Sequence, residues 1–181
     1  MNDFEYKWAR MRGLSADIVP LENVQNKQEL QTLYHLIKGI VPWSYLEVGS
    51  SFGLTFCMFV DDDFDRAVCI DLCDNEMAVD VLEAVVRGIS DGNTIIDGNS
   101  HDKDVINRAE ELGPYDVVFI DAGHTYDDVK QDYENYGHLA KKALIFHDIQ
   151  IPDVAKLWNE IGGGIEINVP GSGKGYGVRF V

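Results

Sequence analysis

The feature that most constrains this chain is a regular alternation between short apolar runs and longer amphipathic stretches. Helical spacing occurs at 54–60, 76–89, 102–113 and 126–140, between runs of strand length. Apolar strands separated by helices predict a parallel sheet that is covered on both faces. The runs are "SYLEV" (44–48), "AVCID" (67–71), "TIIDG" (94–98), "DVVFID" (116–121) and "ALIFHD" (143–148).

The flanking segments complete the predicted fold. Two further helices are expected at 27–40 and 151–162, and two further strands at 165–169 and 176–181. The last two strands are joined by "PGSGKG", which is too short for a parallel crossover, so they should be antiparallel. We therefore predict a single α/β domain over 1–181, with a doubly wound, seven-stranded, mainly parallel sheet and an antiparallel C-terminal strand.

Two segments of that domain carry separate expectations. The loop "GSGKG" resembles a phosphate loop, but it does not join a strand to a helix, so it predicts a flexible hairpin turn. The chain has no insertion large enough to form a substrate lid. Residues 1–24, an N-terminal extension, are the candidate for that role.

Charge and composition exclude several classes of function. The net charge of −16 disfavours a nucleic-acid binder, because a phosphate backbone needs clustered Lys and Arg. No apolar stretch approaches the length of a membrane span, and the N-terminus lacks the apolar core of a signal peptide. Three cysteines without a CxxC pair indicate a reduced, cytoplasmic protein. The acidic run at 61–65 is expected to be a solvated loop rather than a cation site.

Ligands of such sheets bind beyond the carboxyl ends of the strands, where polar residues of this chain are concentrated. The first strand enters "LEVGSSFGLT", in which Gly49 and Gly53 permit close approach of the backbone to a ligand. A dinucleotide fingerprint needs glycine where Ser51 and Leu54 stand, which argues against a nicotinamide-dependent oxidoreductase. Glu47 would repel a pyrophosphate and attract an ammonium or sulfonium group.

The next two strand ends offer groups suited to a nucleoside. Asp71 lies a little over twenty residues after the glycine turn, where a carboxylate binds ribose hydroxyls. Asn99 and Ser100 present an amide and a hydroxyl that can bind a base edge. The alternatives are that Asp71 caps a helix and that Asn99 and Ser100 are turn residues. A ligand with a cationic amino acid part, a ribose and a purine satisfies all three strand ends.

These segments, with "FIDAGHTYDDVKQD" and "ALIFHDI", resemble the class I S-adenosylmethionine (SAM)-dependent methyltransferases. Within that class the chain is similar to the small O-methyltransferase branch of the macrocin-type sugar enzymes and, more distantly, to the catechol and caffeoyl-coenzyme A enzymes. The resemblance runs in order from about residue 25 to the end.

The resemblance implies a role for each strand end. The methionine part of SAM would contact Glu47, Gly49, Gly53 and Thr55. The ribose would be held by Asp71, and the adenine side by Asn99 and Ser100, with Asp121 also bordering the cofactor. A divalent metal would be held by Asp121, His147 and Asp148, and the general base would be His124.

The chain also departs from the family pattern. Ala122 stands where glycine is usual after the aspartate, "AKKAL" replaces Pro-Gly-Gly, and His147 replaces a carboxylate. A nitrogen ligand favours Mn²⁺, Fe²⁺ or Zn²⁺ over Mg²⁺. A structural alternative for His124 is that it braces the loop by bonding Asp121 or the start of the helix at Tyr126.

The resulting hypothesis is methyl transfer from SAM to a hydroxyl oxygen of a small molecule, assisted by Mg²⁺, Mn²⁺ or Fe²⁺. By family likeness a sugar is the first expectation for the acceptor and a phenol or catechol the second. The alternative is a methyltransferase-like domain that no longer catalyses and serves as a binding or assembly module. Formation of a homo-oligomer is left open.

Overall fold

A computed structural model describes residues 3–15, 25–60, 64–74, 76–90 and 92–181. Most of the acidic run, at 61–63, and the part of the N-terminal extension at 16–24 lie outside the described residues. The expectation of a solvated acidic loop and the lid hypothesis for these residues therefore stay predictions.

One seven-stranded sheet organises the described residues, in the order β3-β2-β1-β4-β5-β7-β6. All neighbouring pairs among β1 to β5 are parallel, whereas β7 is antiparallel to both β5 and β6. The predicted fold class is confirmed. The strands are β1 (Ser44–Val48), β2 (Arg66–Asp71), β3 (Thr94–Asp97), β4 (Tyr115–Ile120), β5 (Ala140–His147), β6 (Ile165–Ile167) and β7 (Tyr176–Phe180).

Helices cover both faces of this sheet. Side chains of the first four pack in one buried cluster, and side chains of the last three pack in the other. The switch in strand order lies between β1 and β4, which is where a doubly wound sheet opens a crevice for ligands. The helices are α1 (Asp3–Ser15), α2 (Lys27–Gly39), α3 (Leu54–Phe59), α4 (Glu76–Ile89), α5 (Lys103–Leu112), α6 (Tyr126–Tyr136) and α7 (Pro152–Glu160), and a 3₁₀ turn spans Gly137–Leu139.

Helix α1 is the one described helix that the sequence analysis did not predict. Phe4, Trp8 and Met11 are buried at helical spacing, and they join the cluster that α2, α3 and α4 form with the sheet. Lys7 Nζ donates to the carbonyl of Val60 at 3.0 Å, which fixes α1 to the end of α3. Residues 3–15 are thus part of the core.

The antiparallel strand β7 brings its preceding loop to the carboxyl edge of the parallel strands. Tyr176, the first residue of β7, pairs with His147, the last residue of β5. Residues 168–175 consequently lie beside the ends of β4 and β5. Among the described residues, no helix has the length and apolarity that crossing a membrane requires.

Candidate functional site

Two cavities open at the carboxyl edge of the sheet, on the two sides of the turn after β1. The larger has a volume of about 520 Å³ and is bordered by residues that follow β1, β2, β3 and β4. The smaller, of about 250 Å³, is bordered by residues that follow β1, β4 and β5 and by the loop before β7. Both are lined by Gly49, Ser51, Asp121 and His124, so the two cavities meet at these residues.

Glycine is required at two positions of the turn between them. Gly49 has φ +86°, and a Cβ there would lie 2.5 Å from the Cα of Ala122 and from the carbonyl oxygen of Asp121. Gly53, with φ +69°, caps the start of α3, and its Cβ would lie 2.9 Å from Leu82 Cδ1. The ends of β1 and β4 therefore approach as closely as backbone permits. Gly53 itself lines neither cavity.

Asp71 forms part of the wall of the larger cavity and also organises the turns around it. Its carboxylate accepts hydrogen bonds from Ser51 N at 2.6 Å and from Cys73 N at 3.2 Å. The side chain is half-buried and borders the cavity. The two readings of Asp71 are thus compatible, because it supports the β1 and β2 turns while it faces the space where a ligand would lie.

Asn99 and Ser100 line the far end of the same cavity. Asn99 Oδ1 accepts from His101 N at 2.9 Å, and the Ser100 carbonyl accepts from Tyr136 OH at 2.5 Å. His101 also borders the cavity, and its Nε2 lies 3.2 Å from the buried Asp132 carboxylate. The side-chain oxygen of Asn99 therefore has the role of a turn residue, as the alternative interpretation predicted. Its side-chain N–H groups remain available to a ligand.

Four titratable side chains converge beside the smaller cavity. Asp121 Oδ1 lies 3.0 Å from His147 Nδ1 and 3.8 Å from His124 Nε2. Asp148 Oδ2 lies 2.9 Å from His124 Nε2 and 3.6 Å from His147 Nδ1. Single ligand atoms of Asp121, His124 and Asp148 all lie within 4.8 Å of one another, the arrangement a metal ion requires. The strand ends at β4 and β5 thus bring together all four residues proposed from the sequence.

The backbone around this cluster is held in a conformation that non-glycine residues rarely adopt. Asp148 has φ +55° and Ser51 has φ +47°, both in the left-handed region. A strained backbone conformation of this kind is kept only where neighbouring contacts stabilise it, and such residues are concentrated at functional sites. In this protein both positions border the smaller cavity.

The two carboxylates control the protonation of the cluster. Asp121 and then Asp148, both beside the imidazole, raise the pKa of His124 to about 10. Burial tends to raise the pKa of Asp148, but His124, His147 and Lys174 outweigh it, so this pKa is lowered. Without a bound cation, His124 therefore carries a proton at neutral pH.

His147 is the most enclosed member of the cluster. Its side chain is 3% exposed, its ring stacks on Tyr176 at 4.6 Å, and its Nε2 is buried without a partner. A proton on Nδ1 satisfies Asp121 and leaves Nε2 as a bare acceptor, whereas ligation through Nδ1 would bury an unpaired N–H. This geometry favours His147 as a group that orients Asp121, and its role as a metal ligand stays a prediction.

Glu47 lies away from the space where a ligand would bind. It lines neither cavity, is 1% exposed, and accepts a hydrogen bond from Tyr45 OH at 2.6 Å. Side chains alternate along a strand, so Glu47 shares one buried face of β1 with Tyr45, and its contact with the methionine end of a cofactor stays a prediction. Burial, which outweighs the Tyr45 hydrogen bond, raises the pKa of Glu47 to about 8.

Thr55 lines the smaller cavity, and two of its neighbours there were not anticipated. Gln25 Nε2 lies 3.3 Å from Thr55 Oγ1, and Gln25 Oε1 accepts from Tyr176 OH. Lys174 Nζ lies 3.8 Å from Asp148 Oδ1. Gln25 belongs to no motif, and Lys174 belongs to the "GSGKG" loop, which the pairing of β7 with β5 brings to this edge.

The comparisons with known proteins agree with this architecture. A family model described as "Methyltransferase domain" matches residues 46–149. No curated protein matches the chain significantly.

Several solved structures share the fold over nearly the whole chain. One is a putative caffeoyl-CoA O-methyltransferase from Staphylococcus aureus, with 18% identity, coverage of 99% of this chain and 92% of that chain, and a TM-score of 0.72. Another is an O-methyltransferase from Bacillus cereus in complex with SAH (S-adenosylhomocysteine), with 15% identity, 100% and 92% coverage and a TM-score of 0.73. A third, from Streptomyces achromogenes and in complex with SAM, is involved in tomaymycin synthesis; it shows 14% identity, 100% and 90% coverage and a TM-score of 0.70.

Proposed function

The chain belongs to the methyltransferase-domain family, whose model matches more than half of its length, and from this premise we propose its reaction. That reaction is transfer of the methyl group of SAM to a hydroxyl oxygen of a small molecule. The resemblance to methyltransferases found in the sequence is confirmed at the level of the family. The acceptor atom and the roles of individual residues belong to the proposal.

The observation that carries the proposal is the junction of the two cavities at Asp121 and His124. A methyl donor and an acceptor must meet in line at one carbon atom, so each needs its own compartment and the two must be contiguous. The larger cavity, of about 520 Å³, suits a nucleoside, and the smaller, of about 250 Å³, suits a small acceptor or one end of a larger one.

The larger cavity would hold the adenosine part of SAM. Asp71 would accept hydrogen bonds from ribose hydroxyls, and the free amide of Asn99 would bind the adenine edge together with Ser100. Gly49 lets the turn after β1 lie against the backbone of Asp121 and Ala122, and this close approach shapes the junction at which the two cavities meet. Thr55 borders only the smaller cavity, the acceptor compartment, so its contact with the methionine end stays a prediction of the family resemblance. SAM supplies a methyl group on a sulfonium, which any alkoxide or polarised hydroxyl can displace.

The cluster beside the smaller cavity fits a divalent cation. Asp121 and Asp148 supply oxygen ligands from two strand ends, and His124 stands close enough to be a third ligand. When bound there, a cation such as Mn²⁺, Fe²⁺ or Mg²⁺ would lower the pKa of an acceptor hydroxyl and neutralise the carboxylates.

His124 is our candidate for the group that accepts the hydroxyl proton. Its side chain is 45% exposed and borders both cavities, whereas His147 borders only the smaller one and is 3% exposed. The Asp121 and Asp148 charges keep it protonated, so neutralisation of these charges is what makes it a competent base near neutral pH. His147 then holds Asp121 in place through its Nδ1.

Two measurements test the proposal. Calorimetry with SAM and NAD in parallel should show binding of SAM alone, and binding of NAD in its place would refute the assignment. Turnover to SAH should then be followed with sugar, phenol and catechol acceptors, in chelator and with Mn²⁺, Fe²⁺ or Mg²⁺ restored. SAM binding without turnover of any acceptor would instead support a binding module.

The Mn²⁺ affinity of His124→Ala distinguishes the two possible roles of His124, general base and third metal ligand. If His124 is the base, the variant should bind Mn²⁺ as the wild type does and should lose turnover. A large loss of Mn²⁺ affinity would identify His124 as the third ligand instead. Full wild-type turnover in chelator would remove the metal from the mechanism.

A further inference from the structure

Lys174 brings a positive charge into the acceptor-side cavity from a part of the chain that the proposed mechanism does not use. It lines the cavity of about 250 Å³ together with Asp121, His124 and Asp148. Its ammonium lies 3.8 Å from Asp148 Oδ1, which is an ion-pair distance but longer than a hydrogen bond. The side chain is 28% exposed, as expected of a group that faces an open cavity.

The loop that carries Lys174 is pinned by a buried carboxylate on the opposite side of the cavity. Glu29 of α2 is fully buried and accepts hydrogen bonds from Val169 N at 2.6 Å, Ser172 Oγ at 2.6 Å and Gly175 N at 3.3 Å. A buried carboxylate is costly unless its oxygens are satisfied, and this one is satisfied almost entirely by the loop. The predicted hairpin is present, since β6 and β7 pair antiparallel, but these contacts hold its turn in place and argue against the flexibility expected from its composition.

The backbone of Lys174 is fixed on both sides. Its N–H donates to Ser172 Oγ at 3.3 Å, and its carbonyl accepts from Gln150 N at 3.0 Å. Gly175 has φ +85°, and a Cβ there would lie 2.0 Å from Asn168 Oδ1, so the loop is also closely packed behind Lys174. These contacts fix the backbone of Lys174 at the edge of the cavity that its side chain lines.

The charge of Lys174 is not needed to balance the cluster. Asp121 has His147 as its close partner and Asp148 has His124. Within the described residues, the Lys174 ammonium donates no hydrogen bond, although it has three donors. In a chain of net charge −16, a fixed cation with free donors in the acceptor cavity is suited to an anionic ligand.

We propose that Lys174 forms a subsite for a carboxylate of the methyl acceptor, so that the substrate is a small hydroxylated carboxylic acid. A monoanion is favoured over a dianionic phosphate, because Asp121 and Asp148 line the same cavity and repel a second negative charge. The inference rests on the proposed function, since it assigns the smaller cavity to the acceptor. Glu29 is then a positioning residue that holds Lys174 in register.

The test compares pairs of related acceptors of which one carries a carboxylate and the other does not. Protein loaded with SAH is titrated calorimetrically with 3,4-dihydroxybenzoate and catechol, and separately with glucuronate and glucose. We expect the acid of at least one pair to bind about tenfold or more tightly than its neutral partner, as for a charge-assisted hydrogen bond. Lys174→Met should remove this preference without weakening the neutral ligand, and Lys174→Arg should keep most of it. A phosphate arm, with glucose 6-phosphate, should bind more weakly than glucuronate.

Controls separate this inference from the function on which it rests. Lys130→Met removes an exposed lysine of α6 and should leave the preference unchanged. Glu29→Gln should reduce the preference while SAH affinity is retained. Equal affinities within both pairs, or a preference that survives in Lys174→Met, would overturn the subsite, and so would failure of both acids to bind. Failure to bind SAH would refute the proposed function, and a Lys174-dependent preference in that protein would still support the subsite.

Discussion

The two cavities differ in how they are built. The larger is shaped by backbone turns whose contacts are close in sequence, such as Ser51 N to Asp71, 20 residues apart. The smaller is shaped by side chains from distant segments, such as Glu29 on Gly175 N, 146 residues apart. Local turns can be recognised in a sequence, whereas a long-range side-chain network exists only once the sheet is assembled. The cofactor side is accordingly the more predictable half of the site.

The two cavities also differ in how they carry charge. In the larger cavity the Asp71 carboxylate accepts hydrogen bonds from backbone N–H groups, and these fixed peptide dipoles stabilise its negative charge. In the smaller cavity Asp121, Asp148, His124 and Lys174 lie close to one another, so the carboxylates raise the pKa of His124 while the neighbouring cations lower the pKa of Asp148. We expect steric changes to damage the first cavity most and charge changes the second.

The largest effect is expected from a methyl group added to the turn that both cavities share. Gly49→Ala should reduce SAM affinity by more than about 100-fold and lower stability, because its Cβ would lie 2.5 Å from backbone atoms of Asp121 and Ala122. Calorimetry and thermal unfolding measure both. Gly171→Ala is the matched control, since Gly171 has a nearly equal φ of +85° but no atom within 4 Å. Wild-type SAM binding by Gly49→Ala would show that the turn adapts.

A charge change at the junction should act on chemistry alone. His124→Ala should slow methyl transfer by roughly 10²–10⁴-fold, the usual contribution of a general base, with SAM affinity nearly unchanged. His138→Ala, which removes a surface histidine near Glu110, should have no effect. Single-turnover kinetics and cofactor titration provide the measurement. A lowered melting temperature with intact turnover would show instead that His124 braces the loop.

The cofactor side should respond to loss of its carboxylate with a smaller change in affinity. Asp71→Ala should weaken SAM binding by roughly 1.5–3 kcal/mol, the scale of a lost charge-assisted hydrogen bond. Asp97→Ala provides the control, because Asp97 ends the neighbouring strand β3 but does not line the larger cavity. Equal SAM affinities of wild type and Asp71→Ala in calorimetry would exclude Asp71 from the cofactor site.

The smallest effect on SAM affinity is expected from Glu47, which is buried and lines neither cavity. Its folded pKa is raised to about 8, so between the unfolded value of 4.5 and 8 the folded state retains a proton that the unfolded state releases. Glu47 should therefore make the free energy of unfolding fall with rising pH in that window, by at most ~1.4 kcal/mol per unit. Glu47→Gln should remove this slope, measured by denaturant unfolding, and leave SAM affinity intact. A loss of SAM affinity would return Glu47 to the cofactor site.

The sequence was sufficient for all seven strands and for most of the residues at their ends. Periodicity identifies buried strands, and parallel topology places their ends on one edge, so Asp71, Asp121 and Asp148 could be assigned without coordinates. Helix α1 was missed even though Phe4, Trp8 and Met11 have helical spacing, because the sheet face that buries them is formed by later segments.

The sequence is least informative where the direction of a side chain or a distant partner decides its role. Glu47 was predicted to contact the cofactor from its position at the turn, and strand alternation places it beside Tyr45. His147 was predicted to be a metal ligand from its family position, and its stacking on Tyr176 and its contact with Asp121 also fit a supporting role. The loop at 168–175 has the composition of a flexible turn, and only Glu29, far away in sequence, shows that it is fixed.

The position of β7 between β5 and β6 has a consequence for the order in which the molecule is assembled. β6 precedes β7 along the chain yet reaches the sheet only through β7, so it cannot dock on β5 before its partner has been made. Strands β1 to β5 pair with one another without the hairpin, and β6 joins the sheet only as part of it. We therefore expect the smaller cavity, which needs the loop before β7, to be completed after the larger one.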